Sequence, residues 1–337
     1  FQDIEEGGEW PEGMEHVFTT MIEKTEDPNA MDVYASIMMA PGPMGMRPIN
    51  NFSPWYSAWS KARFKDMEEW RESWMPEGIH GSRQGHEALE VVYEHATHME
   101  RQTAAAKPAA AVSLDWSKFF DSVRRSIGEQ LVQEMAGDEQ GKKVFQAEQR
   151  LLAKIKPRYK IGRTVSHKEY QKEEGFMQGP NYSITVALAV LSVWTRMMEE
   201  ELPCKTSSFI DDSSVRTNGG LEMAETVKTV HDILKLSKEF GEITGTNLNM
   251  KKVKILASED CKKALILKMP ELDKENNYRN VYKKAVILVG GVATTGDEKA
   301  TLRERSVLRI EKEKKTDFAL QNIKKVAEGF EKKADLV

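Results

Sequence analysis

The sequence predicts an α+β fold in which an antiparallel sheet is covered by helices on one face. A short apolar run over residues 110–114 leads to Asp115 and indicates a strand, and two more strand-like runs flank the pair Asp211-Asp212. Longer stretches with apolar residues at helical spacing lie between and after these runs. The order strand, helix, helix, hairpin, helix, strand, strand is typical of a sheet with its helices segregated from the strands.

Periodicity and stop signals define the helices in chain order. The first mixes aromatic and charged residues and stops at Pro76-Glu77-Gly78, whereas residues 179–199 are mostly apolar and are expected to be buried on several sides. The last long helix is closed by Gly245, a typical C-terminal cap. Helices are predicted at residues 55–74, 85–99, 117–135, 179–199, 224–243 and from 301 onward, and further strands at residues 253–257 and 285–289.

Length and composition are those of a soluble protein with more than one core. The chain has 337 residues, 40% hydrophobic and 30% charged, and this length predicts two or three subdomains. Its net charge of −4 argues against indiscriminate binding to nucleic acid. The charge is uneven, because nine acidic residues face one lysine within the first thirty positions. Residues 1–46 are therefore predicted to be an acidic, weakly ordered lead-in, and the start at Phe1 indicates a fragment.

Cysteine usage and hydropathy exclude several classes of protein. Cys204 and Cys261 are too few for a disulfide framework and lack the spacing of a zinc site, which predicts an intracellular setting. The longest apolar stretch, residues 184–194, is too short to cross a bilayer, so no membrane association is expected. His95 and His98 have no third ligand of suitable type nearby in the sequence and are interpreted as residues of an ordinary helix surface.

Five segments in the expected order resemble the motifs of reverse transcriptases, especially those of non-long-terminal-repeat retroelements and group II introns. The first contains Asp115 and the third contains Asp211-Asp212. The segments are LDWSKFFDSV at 114–123 (first catalytic motif), GFMQGPNYS at 175–183 (the Gln-Gly motif), FIDD at 209–212 (the catalytic hairpin), GTNLNMKKVKIL at 245–256 (the fourth motif) and LVGGV at 288–292 (the primer-grip turn).

The resemblance implies an RNA-directed DNA polymerase domain. Such a domain adds deoxynucleoside triphosphates to a primer annealed to an RNA or DNA template. Asp115, Asp211 and Asp212 would then hold two Mg²⁺ ions, or Mn²⁺ in their place, which activate the primer 3′-hydroxyl and neutralise charge on the triphosphate. The residues alone favour the same chemistry, because carboxylates at strand ends are typical ligands of two-metal phosphoryl-transfer sites.

Five further residues take roles from their positions in or near these motifs. Phe120 matches an aromatic position whose ring packs under the incoming sugar and favours deoxynucleotides. Gln178 and Gly179 are predicted to open a helix whose backbone amides suit contact with the template strand and the nascent pair. Lys252 would lie near the leaving pyrophosphate, and Arg47 resembles a fingers residue that grips the triphosphate.

The resemblance also implies a domain map. Residues 47–108 would form partial fingers, residues 109–292 the polymerase palm, and residues 293–337 the start of a truncated thumb. A eukaryotic retroelement enzyme of this kind is expected to act in the nucleus, and the sequence favours no particular oligomeric state.

Two alternatives stay open at this point. One is a catalytically impaired retroelement remnant that binds nucleic acid as a scaffold. The acidic lead-in, the short thumb and the lack of lysine or arginine between Lys24 and Arg47 favour it. The other is an RNA-directed RNA polymerase, which shares the two-metal palm, although the Gln-Gly motif and Phe120 argue against it.

Overall fold

The computed structural model describes most of the chain up to residue 269 and three short strands beyond it. Described are residues 1–23, 46–136, 139–161, 164–170, 172 and 174–269, with strands at 282–283, 285–288 and 291–294. The described helices are α1 (Gln2–Glu5), α2 (Pro54–Asp66), α3 (Glu68–Trp74), α4 (Ala88–Ala104), α5 (Phe119–Ser122), α6 (Arg125–Ala136), α7 (Glu139–Lys154), α8 (Asn181–Glu201), α9 (Met223–Thr244) and α10 (Glu259–Lys268). The described strands are β1 (His16–Glu23), β2 (Met46–Asn51), β3 (Ala110–Ser117), β4 (Lys156–Ile161), β5 (Thr164–Val165), β6 (Cys204–Phe209), β7 (Asp212–Thr217), β8 (Asn247–Leu248), β9 (Lys254–Ala257), β10 (Tyr282–Lys283), β11 (Ala285–Leu288) and β12 (Gly291–Thr294).

A six-stranded sheet forms the centre of the molecule. Its strand order is β10-β9-β3-β7-β6, and β8 also pairs with β3. β3 runs antiparallel to β7 and β9, whereas the short pairing of β10 with β9 is parallel. Val112, Leu114 and Trp116 of β3 join a core with side chains of α8 and α9, while Ala111 belongs to a smaller cluster with Val92 of α4. The predicted α+β fold is confirmed, and α4 adds a helix on the second face.

The N-terminal residues belong to a second sheet rather than to a weakly ordered lead-in. β1 lies between β2 and β4, antiparallel to the first and parallel to the second, and β5 pairs with β4. Trp10 and Val17 are buried in a core with side chains of α2 and α7. The prediction of weak order is wrong for residues 1–23, because they form α1 and β1 and bury Ile4, Trp10, Met14 and Val17 despite the acidic composition. Residues 24–45 lie outside the described part of the chain.

One acidic residue of this segment is itself buried and compensated. Glu5 accepts a hydrogen bond from Trp59 Nε1 at 2.7 Å, and its two oxygens accept from Arg63 at 2.6 and 2.9 Å. A bidentate guanidinium offsets the desolvation of a buried carboxylate. Glu5 therefore links α1 to α2 through its contacts with Trp59 and Arg63.

Several elements differ in extent from the predicted ones. The helix predicted over residues 55–74 is interrupted at Met67 between α2 and α3, and that over residues 117–135 is divided into α5 and α6. α7, β4 and β5 lie in a charged stretch for which the sequence pattern predicts no element. Gly245 ends α9 with a φ of 85°, as expected of a C-terminal cap. The helical tail predicted from residue 301 lies outside the described residues.

α8 is the apolar helix at the centre of the core. Thirteen of its residues are buried, in agreement with the expected burial on several sides. Trp194 Nε1 donates to Ser237 Oγ of α9 at 3.2 Å, and the Trp194 ring packs edge to face with Trp116 of β3. In the described part of the chain, no helix combines the length and the apolar character that crossing a membrane requires.

Glu148 of α7 is a buried carboxyl group in the core between α2 and α7. It is 3% exposed and accepts a hydrogen bond from the hydroxyl of Tyr56. Burial raises the pKa of Glu148 to about 8, and the bond from Tyr56 opposes this shift only in part. The side chain is therefore mostly protonated in the folded protein at neutral pH.

Glu148 should accordingly add a downward slope to the stability of the protein between pH 5 and pH 8, whereas the neutral His95 and His98 add an upward slope below about pH 6.5. The unfolded chain releases this proton near its ordinary pKa of 4.5, whereas the folded chain keeps it up to about pH 8, so each intervening pH unit costs up to about 1.4 kcal/mol. Glu148→Gln should remove only the downward contribution, which is measured as the difference between wild type and variant in urea unfolding at both pH values. Glu69→Gln, at an exposed position of α3, should keep the wild-type slope, and equal slopes for all three proteins would contradict the assignment.

Candidate active site

The Asp-Asp pair lies at the tight turn of the β6–β7 hairpin. β6 ends at Phe209, β7 begins at Asp212, and Ile210 and Asp211 form the turn. Ile210 has a positive φ of 57°, which is a costly conformation for a β-branched residue. Neighbouring backbone encloses the turn, because a Cβ added to Gly81 would lie 2.4 Å from the Ile210 nitrogen.

Small hydroxyl side chains fill the interior of this hairpin. Ser208 Oγ donates to Ser213 Oγ at 3.2 Å across the two strands, and Trp116 Nε1 of β3 donates to Ser213 Oγ at 3.1 Å. All three residues are buried, so these bonds satisfy polar groups that water cannot reach. The hairpin is thereby anchored to β3.

His95 anchors the hairpin from α4. It is 0% exposed, and its Nε2 lies 2.7 Å from Ser214 Oγ of β7. Burial, followed by the charges of Arg216 and His98, lowers the pKa of His95 to about 3. The interpretation of His95 as a surface residue is wrong, because its face of α4 packs against the hairpin. His98 is half-buried, and burial lowers its pKa to about 4.

β3 brings a third aspartate to the same edge of the sheet. In the antiparallel register of β3 and β7, Asp115 lies directly opposite Asp212. Asp211 precedes Asp212 in the turn, so carboxylates from two distant segments converge as the sequence predicts. Their catalytic role stays a prediction.

The donor set suits a hard divalent cation. Carboxylate oxygens are the ligands that Mg²⁺ prefers. Partial burial, followed by the charges of Asp211 and Asp115, raises the pKa of Asp212, and a bound cation would relieve that repulsion. Within the described residues, the carboxylate oxygens that the three aspartates could offer to one ion do not all lie within 4.8 Å of one another. Coordination of one ion by all three would therefore require side-chain rearrangement.

The fourth motif returns the chain to these aspartates. β8 pairs with β3, the Asn249 amide donates to the Asp115 carbonyl at 2.8 Å, and the Lys252 amide donates to the Asn249 carbonyl at 2.9 Å. Lys252 Nζ consequently lies 3.7 Å from Asp115 Oδ1. Its charge lowers the pKa of Asp212 and so opposes the effect of the neighbouring carboxylates. The predicted role of Lys252 toward pyrophosphate stays a prediction.

The Gln-Gly segment lies just before the helix that it is predicted to open. α8 begins at Asn181, so the predicted start at Gly179 is wrong by two residues. The Gln178 carbonyl accepts hydrogen bonds from the amide and the Nδ2 of Asn50, both at 3.0 Å. Gly179 has a φ of 140°, and a Cβ there would lie 2.7 Å from the Asn50 carbonyl oxygen. The segment therefore joins β2 to α8.

Arg47 lies in β2, upstream of Asn50. Its backbone pairs with Ile22 of β1, which fixes its place in the second sheet. Its side chain is outside the described part of the chain, so the contact with a triphosphate stays a prediction. The bonds of Asn50 nevertheless bring this strand beside the Gln-Gly segment.

Phe120 lies on the short helix α5 after β3. Its ring is partly buried against the core, and it meets Phe119 edge to face. The Phe120 carbonyl accepts a hydrogen bond from the Phe176 amide at 2.6 Å. The first motif and the Gln-Gly motif are thus joined through the backbone, and the role of Phe120 toward the sugar stays a prediction.

Lys172 is a residue of this region that the sequence analysis does not identify. Its Nζ donates to the Asp121 carboxylate at 2.5 Å and to the Phe176 carbonyl at 3.0 Å. Arg125 reinforces the junction, because its Nη2 donates to the Lys172 carbonyl at 2.8 Å. Lys172 and Asp121 are 51 positions apart, and an ion pair at that separation leaves no signal in a single sequence.

Comparison with known protein sequences identifies one matching family. A family model described as "Reverse transcriptase (RNA-dependent DNA polymerase)" matches residues 39–281, which is more than half of the chain. No curated protein matches the chain.

Solved structures with a similar fold include several telomerases. The apo telomerase of Candida tropicalis superposes with a TM-score of 0.54 at 11% identity, over 86% of this chain and 49% of that chain. A form of the same telomerase truncated from its C-terminal domain gives 0.49 at 11% identity, over 64% and 48%. The telomerase of Candida albicans in complex with a TWJ fragment of telomeric RNA gives 0.46 at 10% identity, over 85% and 46%.

This chain spans about half of the length of those telomerase chains. Only the first likeness is close enough to support the fold, and it confirms the predicted palm. Because the family model covers more than half of the sequence, the chain belongs to the reverse transcriptase family.

Proposed function

We propose that this chain is the RNA-directed DNA polymerase domain of a retroelement. The observation that carries the proposal is the register of β3 and β7, which sets Asp115 opposite Asp212 with Asp211 in the adjoining turn. Such a cluster suits two-metal transfer of a nucleotide to a primer 3′-hydroxyl. The template would be RNA or DNA with an annealed primer, and the substrates would be deoxynucleoside triphosphates.

The residues around the aspartates would bind the substrate and offset its charge. Two Mg²⁺ ions, held by the three aspartates, would supply activation of the 3′-hydroxyl and neutralisation of phosphate charge. Lys252, whose Nζ lies 3.7 Å from Asp115 Oδ1, would offset charge on the departing pyrophosphate. The main chain of Gln178 fixes the segment proposed to face the template strand and the nascent pair. Arg47 would hold the triphosphate from the second sheet.

Primer extension by the purified chain tests this proposal. A DNA primer annealed to an RNA template is incubated with the four deoxynucleotides and Mg²⁺, and product length is followed on a gel. Extension should require Mg²⁺, stop on chelation and resume when Mg²⁺ is restored in excess. Absence of extension at every Mg²⁺ and Mn²⁺ concentration, with a folded protein that binds the primer-template, would reject it.

The second candidate is a scaffold that binds nucleic acid without catalysis. Two observations favour it. The carboxylate oxygens that the three aspartates could offer to one ion do not all lie within 4.8 Å of one another, and residues 25–46 contain no lysine or arginine. Affinity for primer-template that is equal with and without Mg²⁺, together with no nucleotide incorporation, would select this candidate.

Phe120→Val should weaken discrimination between deoxynucleotides and ribonucleotides. We expect the loss of the ring to leave room for a 2′-hydroxyl, so ribonucleotide incorporation should rise by about tenfold or more, which corresponds to about 1.4 kcal/mol. The measurement is the ratio of kcat/KM for a deoxynucleotide and its ribonucleotide. Phe119→Val, at the buried neighbouring position, should lower stability and keep the wild-type ratio. Equal ratios in all three proteins would contradict the assignment, and a wild-type preference for ribonucleotides would indicate an RNA polymerase.

A further inference from the structure

Two histidines and a glutamate converge beside the Asp-Asp turn. His80 Nδ1 lies 3.0 Å and His86 Nδ1 lies 2.8 Å from the same oxygen, Glu90 Oε2. One potential ligand atom from each residue lies within 4.8 Å of the other two. Over the described ranges, no other group of three histidine, cysteine or acidic side chains meets that distance. This geometry brings nitrogen and oxygen donors close enough for a single ion.

We propose that His80, His86 and Glu90 bind one divalent transition-metal ion of the zinc class. Two imidazole nitrogens and one carboxylate oxygen are a ligand set that zinc uses, with a fourth position for water. Imidazole suits zinc, copper and nickel, whereas Mg²⁺ and Ca²⁺ prefer oxygen ligands alone. The proposed site therefore differs in chemistry from the three aspartates.

The loop that carries both histidines is fixed by its own contacts. The His80 amide donates to the Ser208 carbonyl at 2.8 Å, and the Ser208 amide donates to the Gly78 carbonyl at 2.7 Å. Arg83 donates from Nε and Nη2 to one oxygen of Glu72, at 2.9 and 2.6 Å. Because the loop is already ordered, metal binding would cost little conformational entropy.

A carboxylate lies near the second ring nitrogen of His80, beyond hydrogen-bond distance. The residue is 3% exposed, and its second ring nitrogen, Nε2, is buried without a hydrogen-bond partner. Nε2 faces Glu94, whose Oε1 lies 3.7 Å away. Glu94 is held in turn by Ser207 Oγ at 2.8 Å and Arg216 Nη1 at 2.9 Å. Imidazoles that bind a metal typically donate their other N–H to such a carboxylate, which fixes the ring for coordination.

The competing arrangement is a hydrogen-bonded cluster that needs no ion. In that arrangement both imidazoles donate Nδ1–H to Glu90 Oε2. The two arrangements differ in their response to metal, because an ion requires both Nδ1 atoms to be deprotonated and joins the loop directly to α4. The loop packs on the Asp-Asp turn through Gly81, so an ion here would also steady that turn.

Zinc binding by the whole chain tests the proposal. Protein stripped with a chelator is dialysed against micromolar Zn²⁺, and bound zinc is counted by elemental analysis. Wild-type protein should bind about one zinc per chain. His86→Gln removes a half-buried ligand without touching the core and should lower affinity by at least about tenfold. His231→Gln, at an exposed histidine of α9, is the matched control and should bind as the wild type does.

Amide hydrogen exchange supplies a second readout. With Mg²⁺ held in constant excess, zinc should slow exchange at the amides of His80 and Ser208 in the wild type and leave it unchanged in Glu90→Gln. Equal zinc uptake by wild type and His86→Gln, absence of uptake by the wild type, or equal protection of wild type and Glu90→Gln by zinc would each overturn the proposal. These measurements involve no polymerisation, so their outcome is independent of the proposed function.

Discussion

Replacing Asp212 by asparagine should abolish primer extension without weakening the fold. The variant loses a proposed metal ligand at the place where β7 faces β3, so the rate should fall by at least about 10³-fold, the scale of losing a principal electrostatic element. Stability should stay unchanged or rise by up to about 1 kcal/mol, because partial burial and the neighbouring carboxylates, which raise the pKa of Asp212, no longer oppose a charge there. Single-nucleotide incorporation and urea unfolding measure the two effects.

The control for this variant is Asp260→Asn. Asp260 is an exposed aspartate in the first turn of α10, so its replacement removes the same charge away from the hairpin. It should extend primers at the wild-type rate. Wild-type activity in Asp212→Asn, or a loss of activity explained by unfolding, would contradict the assignment of the aspartates.

Replacing Gly175 by alanine should both destabilise the protein and impair catalysis. Gly175 has a φ of 75°, and an added Cβ would lie 2.3 Å from the backbone oxygen of Asp121. The left-handed conformation costs about 1–2 kcal/mol for alanine, and relieving the overlap costs about 1–3 kcal/mol more. Because the overlap would force the Gln-Gly segment away from the first motif, kcat should fall together with the free energy of unfolding.

Gly220→Ala separates the conformational cost of alanine from the cost of the overlap with Asp121. Gly220 has a φ of 84°, but an added Cβ would meet no atom within 4 Å. This control should lose only the conformational part, about 1–2 kcal/mol, and keep the wild-type kcat. If both variants lose the same stability and both keep full activity, then the close approach of Gly175 to Asp121 has no bearing on the site.

The central sheet could be predicted because its signals are local. The run before Asp115, the hairpin around Asp211 and the cap at Gly245 each follow from neighbouring residues. The second sheet could not be predicted in the same way. β1 contains the β-branched and aromatic residues of a strand, but its partners β2 and β4 are distant in sequence, and the acidic flank concealed it. α7 carries apolar residues at helical spacing, including Val144 and Leu151, within a charged stretch.

The candidate site shows the same difference between local signals and long-range contacts. Residues inside a motif, such as Asp115 and Lys252, could be named from the sequence, because the motif itself gives their spacing. Lys172 and Asn50 could not, since the contacts that matter join them to residues far away in the sequence. The contact of His95 could not be predicted either, because helical periodicity places it on the apolar face of α4 without revealing that Ser214 would meet it there.

The position of β1 has a practical consequence for anyone preparing fragments of this protein. The family match begins at residue 39, downstream of a strand that has neighbours on both sides. A polypeptide that begins at that boundary would lack β1, so the backbone hydrogen-bonding groups of β2 and β4 that pair with it would be exposed. Unpaired strand edges pair with strands of other molecules, so the shortened protein should aggregate.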